Sequence, residues 1–531
     1  MTPIESAADE GKRRREVQIV AILLLVYIVI RVALLPANPW TSQGMSHDAA
    51  YLAIVAKNLL AGKGFVLDAL WLVFLQPDHL PMPFHNANPL YPVTIALVSR
   101  LTGCDVIRSG FLISALSGAG VVLALTIIVN RFVKAPLRAA GIAFAVALFP
   151  VVWDLSWENV TDEFSLMFLL CALALLLCAE GAGAVAAAGV LFGLAWLARS
   201  MAISALPAIA VWMLLRSGWR RGAVRVLLLG ACAFVVGVPW FIHNLHTWGD
   251  PFRSDDKYLA SVTFYYRQID GTAARAWFSP EKPLPLGVLV REHPVVIADN
   301  WAHSLKPFFV NLAVGIAGAS YIKLLTVVLL TAGVLLCRWR TLLNREGAAF
   351  GVYLLTVTAL MSGMGNLMEP RYFLPGYALF AAWLFSVLSN LRWREGLLAR
   401  ALLTLAAIYI IFAMLPSAIR TAEAFRRPDT EEKVPLMRAA NTVNQTISHG
   451  APVVVGFHPY LYSLYTGAEA LAIPQSDDQY LLAYMRKYHA CCIVLTNQEL
   501  AFWRPQWRTA LPPHIFPIRS IEGYNVYGVA P

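Results

Sequence analysis

Charged side chains are scarce in this sequence. Only 14% of its 531 residues are charged and 58% are hydrophobic, whereas a soluble globular chain carries about 25% charged residues. Mean hydropathy is +0.60. The apolar residues come in runs near the roughly 20 residues that a helix needs to cross about 30 Å of hydrocarbon. This composition excludes an ordinary soluble protein and predicts a polytopic membrane protein.

The sequence also lacks the common signatures of metal and nucleotide sites. Its seven cysteines are scattered, with no CxxC pair and no metal-ligand spacing, which argues against a zinc site and a disulfide framework. No HExxH motif, GxSxG motif or glycine-rich phosphate loop occurs. We therefore expect no metal and no other cofactor.

The apolar runs predict an all-α bundle of about eleven transmembrane helices. Spans five and six are short and closely joined. The predicted spans cover residues 17–35, 107–130, 137–153, 161–179, 184–198, 201–215, 223–242, 318–337, 347–363, 372–389 and 398–415.

The formal charge of +10 could indicate a nucleic-acid partner, but the placement of the basic residues argues against one. With eleven spans, five basic clusters all fall on the side of the N-terminus, which the positive-inside rule makes cytoplasmic. We therefore predict a multi-pass membrane protein with an uncleaved first span and no nucleic-acid partner, and the short loops on the cytoplasmic side favour a bacterial inner membrane. The clusters lie within residues 12–15, 131–138, 216–225, 338–345 and 392–400.

The same alternation places most of the polar sequence on the outer, periplasmic face. Residues 1–416 form the predicted transmembrane domain, with a first outer loop at 36–106 and a second large one at 243–317. Residues 417–531 are less apolar and predict a small α/β domain with strands near 453–455, 492–495 and 524–527. Chemistry is expected on this outer face.

Asp48 is the sharpest catalytic candidate, because it begins an amphipathic helix in the first outer loop. A carboxylate at the membrane boundary can take a proton from an acceptor hydroxyl; alternatively, Asp48 only caps the helix. Asp162 lies at the outer end of the fourth span, with Asp154 and Glu158 in the turn before it. These three are caps or solvated loop residues, unless helix packing turns them toward Asp48.

Two arginines at span boundaries are candidate ligands for a lipid phosphate. Arg199 interrupts two apolar runs and Arg371 begins the tenth span. Snorkelling to headgroups, or for Arg371 a simple pair with Glu369, are the alternatives. Further residues on this face are possible substrate contacts, although a lone histidine there is more often an interfacial hydrogen-bonding group: His47, Tyr51, His85, Glu158 and His243.

In order and topology, these motifs resemble the GT-C glycosyltransferases, specifically the bacterial branch related to protein O-mannosyltransferases and the lipid A aminoarabinose transferase. Each stretch is weak alone, but six in the right order are fairly specific. The matching stretches begin at Asp48-Ala-Ala-Tyr51, Asn88-Pro-Leu-Tyr-Pro92, Val160-Thr-Asp162, Leu197-Ala-Arg199, Pro239-Trp240 and Pro370-Arg371-Tyr372.

The resemblance implies an inverting transfer from a polyprenyl-phosphate sugar, without a nucleotide donor. Asp48 matches the family's first-loop general base, Asp162 the second outer-face carboxylate, and Arg199 a basic residue facing the donor cavity. Relatives often carry an acidic pair where this chain has His47-Asp48. That departure argues against a metal at this position, and members of this branch generally need none.

The predicted function is therefore transfer of a sugar from a polyprenyl-phosphate donor to an acceptor hydroxyl on a glycan, lipid or protein, within membrane lipids. Residues 264–266, in the second loop, are expected to contact the acceptor. The alternatives are a transporter or flippase for a lipid-linked sugar, which would need mid-span ionisable residues and broken helices in paired repeats, and a non-catalytic membrane receptor. An O-antigen ligase or polymerase is a nearer rival among enzymes.

Overall fold

A computed structural model describes most of the chain. The described residues are 3–84, 88–253, 278–295, 321–338, 370–390 and 397–530, with short helical pieces between 298 and 313 and between 349 and 356. His85, Glu369 and residues 264–266, all singled out in the sequence, lie outside the described residues.

The described part of residues 1–426 is mainly helical. A 3-10 turn at Ser200–Ala205 leads into α9, and another at Pro370–Phe373 leads into α13. The helices are α1 Pro3–Ala33, α2 His47–Leu60, α3 Leu90–Thr102, α4 Val106–Val133, α5 Pro136–Ala147, α6 Pro150–Leu155, α7 Thr161–Cys178, α8 Ala182–Ala198, α9 Leu206–Ser217, α10 Trp219–Trp248, α11 Leu286–Glu292, α12 Tyr321–Arg338, α13 Leu374–Asn390, α14 Leu397–Tyr409 and α15 Leu415–Arg426.

Seven helical stretches in the described part are long and apolar enough to cross a membrane, and four more apolar helices are shorter. Ten of the eleven predicted spans coincide with helices, while the ninth, 347–363, falls mostly outside the described residues. The third predicted span is interrupted at Leu148 and Phe149, between α5 and α6. The last extends beyond its predicted end, because a π-helical turn at Ile410–Met414 joins α14 to α15.

Successive helices α7, α8, α9 and α10 alternate in direction, so the bundle has two distinct ends. Asp162 begins α7 and Arg199 follows α8, and we call this end of the bundle the site end. Glu180 and Arg216 mark the opposite end, where α7 and α9 finish. We call this the basic end.

A six-stranded sheet forms the core of the C-terminal part, flanked by α16 Lys433–Val443, α17 Pro459–Thr466, α18 Asp478–Lys487 and α19 Asn497–Trp503. Its strand order is β2-β5-β4-β6-β8-β7, with parallel pairing from β2 to β6 and antiparallel pairing beyond. The predicted strands correspond to β4, β6 and β8. The sheet strands are β2 Ala69–Leu70, β4 Val453–Val455, β5 Ala470–Ala472, β6 Cys492–Thr496, β7 Ile515–Ile521 and β8 Tyr524–Val529.

The edge strand β2 comes from the first loop, not from the C-terminal part. Ala69 and Leu70 pair with Ala470 and Leu471, and the amide of Ala470 donates to the carbonyl of Asp68 at 3.1 Å. A separate two-stranded ribbon in the same loop pairs β1 Val66–Leu67 with β3 Met82–Pro83. The loop therefore contributes an edge strand to the C-terminal sheet. The packing of α17 on α2 extends this interface.

Candidate active site

Asp48 stands in the first turn of α2, but it does not cap that helix. The N-cap is Ser46, whose hydroxyl accepts a hydrogen bond from the amide of Ala49 at 3.2 Å. The capping interpretation of Asp48 is therefore wrong. Its side chain is free to interact outside its own helix, and it retains 38% exposure, enough for a second molecule to reach it.

The partner of Asp48 is Arg371. The Nη1 atom of Arg371 lies 2.8 Å from Oδ2 of Asp48, and the arginine side chain is only 15% exposed. Arg371 belongs to the 3-10 turn that precedes α13. This ion pair joins the first loop to the start of the tenth predicted span, two segments that are far apart in the sequence.

Asp162 and Arg199 form a second, more deeply buried ion pair. Nη1 of Arg199 donates to Oδ2 of Asp162 at 2.8 Å and to the hydroxyl of Thr161 at 3.2 Å. The Asp162 side chain is 1% exposed. Arg199 can turn toward α7 because α8 ends there and the backbone is extended before the next 3-10 turn begins.

Tyr372 places the two ion pairs side by side. The guanidinium carbon of Arg199 lies 5.4 Å from the centre of its ring, and that of Arg371 lies 5.9 Å from it. Both distances are within cation–π range. A narrow crevice of about 20 Å³ beside them is lined by both polar and apolar side chains. Its lining includes Asp162, Arg199, Arg371, Tyr372, Leu166, Leu169, Met201, Leu374 and Pro375.

Electrostatics keep the Asp48 carboxyl ionised. Burial raises its pKa, but the positive charge of Arg371, together with that of Arg199, outweighs burial, and the net pKa is lowered from its usual value. A carboxylate is thus paired with a cation that lies beside a second cation. Such a cluster can accept a proton and stabilise an anion at neighbouring positions.

An aromatic layer lies next to Asp48 and includes a residue of the C-terminal part. The ring of His47 lies 4.8 Å from Trp71 and 4.5 Å from Tyr460. Tyr51 lies 5.6 Å from Tyr460 and 6.2 Å from Phe84. Burial lowers the pKa of His47 to about 3 and outweighs the negative charge of Asp48, which raises it. This imidazole is therefore neutral at pH 7.

Other candidate residues lie farther from the two ion pairs. Asp154 accepts a hydrogen bond from Thr421 of α15 at 3.0 Å, so it faces the last helix and not Asp48. Glu158 lies in the turn before α7. His243 stacks on Trp240 at 4.7 Å, within α10. Helix packing therefore turns Asp162 toward the cluster but takes Asp154 away from it.

Two tyrosines complete the site beyond the residues proposed from the sequence. Tyr372 was visible only as part of the Pro370-Arg371-Tyr372 motif, and its place between two guanidinium groups had no local signal. Tyr460 begins the short helix α17 and reaches His47 across the interface. No periodicity or motif could have identified it, because its role depends on how the two parts pack. Within the described residues, no three metal-binding side chains come together.

Comparison with known proteins agrees with this architecture. Residues 83–243 match the family model described as dolichyl-phosphate-mannose-protein mannosyltransferase. The structure of ArnT from Cupriavidus metallidurans bound to undecaprenyl phosphate is similar, with a TM-score of 0.56 and 15% identity, covering 96% of this chain and 97% of that one. No curated protein sequence matches the chain.

An archaeal protein shares the fold as well. The oligosaccharyltransferase AglB from Archaeoglobus fulgidus, in complex with an inhibitory peptide and a dolichol-phosphate, superposes with a TM-score of 0.57 at 13% identity. The match covers 96% of this chain and 74% of AglB. The chain is thus a multi-pass membrane protein with the GT-C glycosyltransferase fold and a small C-terminal sheet. The resemblance to GT-C glycosyltransferases predicted from the sequence is confirmed.

Proposed function

We propose that this protein is an inverting glycosyltransferase that moves a sugar from a polyprenyl-phosphate donor to an acceptor hydroxyl. The observation that carries the proposal is that two ion pairs, Asp48 with Arg371 and Asp162 with Arg199, both bring their guanidinium groups into cation–π range of Tyr372. This arrangement supplies a base and two cations at one place, which is what displacement of a phosphate by a hydroxyl requires.

Arg199 and Arg371 bind the phosphate of the donor. Guanidinium groups pair with phosphate oxygens through several parallel hydrogen bonds, and both arginines line the crevice. The polyprenyl tail follows the apolar wall formed by Leu166, Leu169 and Met201. As the sugar leaves, the charge that develops on the phosphate is stabilised by these two cations.

Asp48 acts as the general base. Because its pKa is lowered, it is ionised at neutral pH, but its pairing with Arg371 also makes it a weak base. The donor phosphate competes for Arg371, weakens that pair and makes the carboxylate more basic. The acceptor hydroxyl then loses its proton to Asp48 as its oxygen attacks the anomeric carbon from the side opposite the phosphate, which inverts the configuration.

Asp162 orients Arg199 and contacts the donor. Its Oδ2 atom holds the guanidinium, whereas its Oδ1 atom is buried and meets no hydrogen-bond donor among the described residues. A buried acceptor without a partner is costly. We assign this oxygen to a hydroxyl of the donor sugar, so that binding satisfies it.

The site end faces the periplasm of a bacterial inner membrane in this proposal, and the N-terminus lies in the cytoplasm. Support comes from the basic clusters, all of which fall on the opposite face under the positive-inside rule. The acceptor is a glycan, lipid or protein that approaches through the exposed side of Asp48. His47 and Tyr51, which lie near Asp48 and whose rings pack on Tyr460, are its proposed contacts.

Membranes that contain the protein provide the test, with total consumption of polyprenyl-phosphate sugar as the readout, so that the acceptor need not be known. We expect Asp48→Asn to lower the rate about a hundredfold or more, in line with loss of a general base. We expect Arg199→Ala to weaken consumption as well, because the leaving phosphate loses a cation.

Asp105→Asn is the matched control. Asp105 is also an aspartate at a helix start on the same side, where it caps α4 and pairs with Arg108 at 3.5 Å. An asparagine keeps that cap, so consumption should stay near the wild-type rate at equal expression. If the Asp48→Asn variant consumes the donor at the wild-type rate, Asp48 is not the base. If the wild type itself consumes no donor, the transferase assignment is wrong.

A further inference from the structure

A second polar cavity lies at the basic end of the bundle, far from the ion pairs. Its volume is about 640 Å³, large enough for a phosphorylated headgroup. It lies between the end of α7, the end of α9 and the start of α10. Four arginines line it with one glutamate, giving three net positive charges: Arg216, Arg220, Arg221, Arg225 and Glu180, with Ser217 and Val224.

A tight helix connection gathers these arginines. Gly218 joins α9 to α10 at a φ of +76°, a conformation that only glycine adopts readily. Gly222 lets α10 pack closely on α9, since a Cβ there would lie 2.7 Å from the Cα of Leu214. The last turn of one helix and the first turns of the next therefore present their guanidinium groups to one space.

The arginines divide into two kinds. Arg216 is held by Glu180 at 2.8 Å and by the carbonyl of Leu176 at 3.2 Å, and Arg225 donates to Ser217 at 2.8 Å. Arg220 and Arg221 are exposed and belong to the first turn of α10, where the helix dipole also favours an anion. The first pair forms a fixed wall, and the second pair is available to a ligand.

An apolar stripe continues from the cavity along α10. Val224, Leu227 and Phe234 follow Arg220 on the same helical face and are 65%, 72% and 50% exposed. Trp219, 76% exposed, stands at the start of the same helix, where tryptophan is favoured at a membrane interface. A basic cavity above an exposed apolar stripe has the shape and chemistry of a lipid site.

We propose that this cavity binds the phosphate headgroup of an anionic phospholipid whose acyl chains lie along the α10 stripe. Basic pockets between transmembrane helices are suited to such headgroups. The positive-inside rule accounts for the sign of the charge here, but not for the open cavity or for the apolar stripe that adjoins it. The site is separate from the donor site, because the two lie at opposite ends of α7.

The test measures lipid binding directly and needs no enzymatic activity. Native mass spectrometry of the full-length protein in detergent gives the Kd for tetraoleoyl cardiolipin and for dioleoyl phosphatidylcholine. We expect cardiolipin to bind the wild type more tightly. Each basic residue near a membrane surface contributes about fivefold, so the double variant Arg220→Gln/Arg221→Gln should weaken cardiolipin binding roughly twentyfold and leave phosphatidylcholine unchanged.

Arg131→Gln/Arg138→Gln is the control, because it removes two charges from the same end of the bundle without touching the cavity. Equal weakening by both double variants would mean that bulk charge alone attracts the lipid, and would overturn the proposal. If millimolar inorganic phosphate displaces cardiolipin, the cavity is a site for free phosphate, and the proposal of a lipid ligand is wrong.

A second variant tests the same site independently, in case the double arginine variant fails to fold. Val224→Glu keeps all four arginines and places a carboxylate on the exposed rim of the cavity. We expect it to weaken cardiolipin binding by at least about fivefold, since it repels the phosphate at the point where the chains leave the cavity. Wild-type affinity in a folded Val224→Glu protein would contradict a headgroup bound at this position.

Discussion

At the scale of single residues, the protonation of Asp48 depends on Arg371. The arginine lowers the pKa of a carboxyl that burial alone would raise. Because the folded pKa lies below the usual value, Asp48 stays ionised as pH falls from 7 to 5. Removing the cation takes away the largest effect that opposes burial, so the pKa rises and the carboxylate is protonated at a higher pH.

Arg371→Gln should therefore change the pH profile as well as the rate. We expect the ratio of kcat at pH 5 to kcat at pH 7 to fall several-fold relative to the wild type, because more Asp48 is protonated at pH 5. The measurement is consumption of donor at saturating concentration across this range. Arg108→Gln, which removes a cation paired with Asp105, should keep the wild-type ratio; an unchanged ratio in Arg371→Gln would contradict this coupling.

The sequence was informative about these residues because charge is costly inside a membrane. Asp162, Arg199 and Arg371 are ionisable groups at the ends of apolar runs, and Asp48 begins the amphipathic helix of the first outer loop, so the scarcity of charge made all four conspicuous. The pairing of Asp48 with Arg371 could not be predicted, since it depends on where α13 meets the first loop. Local reasoning offered only Glu369, a near neighbour in the sequence, as an alternative partner for Arg371.

At the scale of secondary-structure elements, α8 and α10 pack through glycine. A Cβ on Gly189 would lie 2.6 Å from the carbonyl oxygen of Leu229, and one on Gly193 would lie 2.8 Å from that of Ala233. The two glycines are four residues apart and lie on one face, a small-residue motif that allows close approach of membrane helices. This contact packs α8, the helix that precedes Arg199, against α10.

Gly189→Ala should destabilise the protein, because the added methyl group meets backbone atoms that cannot move aside. Overpacking of this kind costs about 1–3 kcal/mol, and we expect a lower melting temperature in detergent. Gly183→Ala, in the same helix with open space around it, is the control and should be neutral or stabilising by up to about 1 kcal/mol. Equal melting temperatures for the two variants would argue against close packing at Gly189.

Apolar length predicted most helices correctly, because about 20 residues are needed wherever a helix crosses a membrane. Strands were harder to predict. Runs of β-branched residues revealed β4 and β6, but β2 and β5 are two and three residues long and rich in alanine, so they carry no periodic signal.

At the scale of the whole molecule, the first loop and the C-terminal part form one unit above the bundle. Besides the pairing of β2 with β5, the amide of Asp429 donates to the carbonyl of Thr41 at 2.7 Å, and the hydroxyl of Ser42 donates to that of Phe425 at 2.7 Å. Such pairings between distant segments leave no trace in local composition. The sequence therefore indicated a C-terminal domain but not its attachment to the loop that carries Asp48.

This attachment predicts that a residue of the C-terminal part controls the rate. Tyr460→Ala removes the ring that packs on His47 and Tyr51, so α2 should hold Asp48 less accurately and kcat should fall about tenfold, with little change in KM for the donor. Tyr460→Phe keeps the ring and should restore the rate. Tyr480→Ala, in the same part but packed on Tyr484 in α18, should be near wild type. If Tyr460→Ala and Tyr480→Ala lower kcat equally, the effect is one of domain stability, and positioning of Asp48 by Tyr460 is wrong.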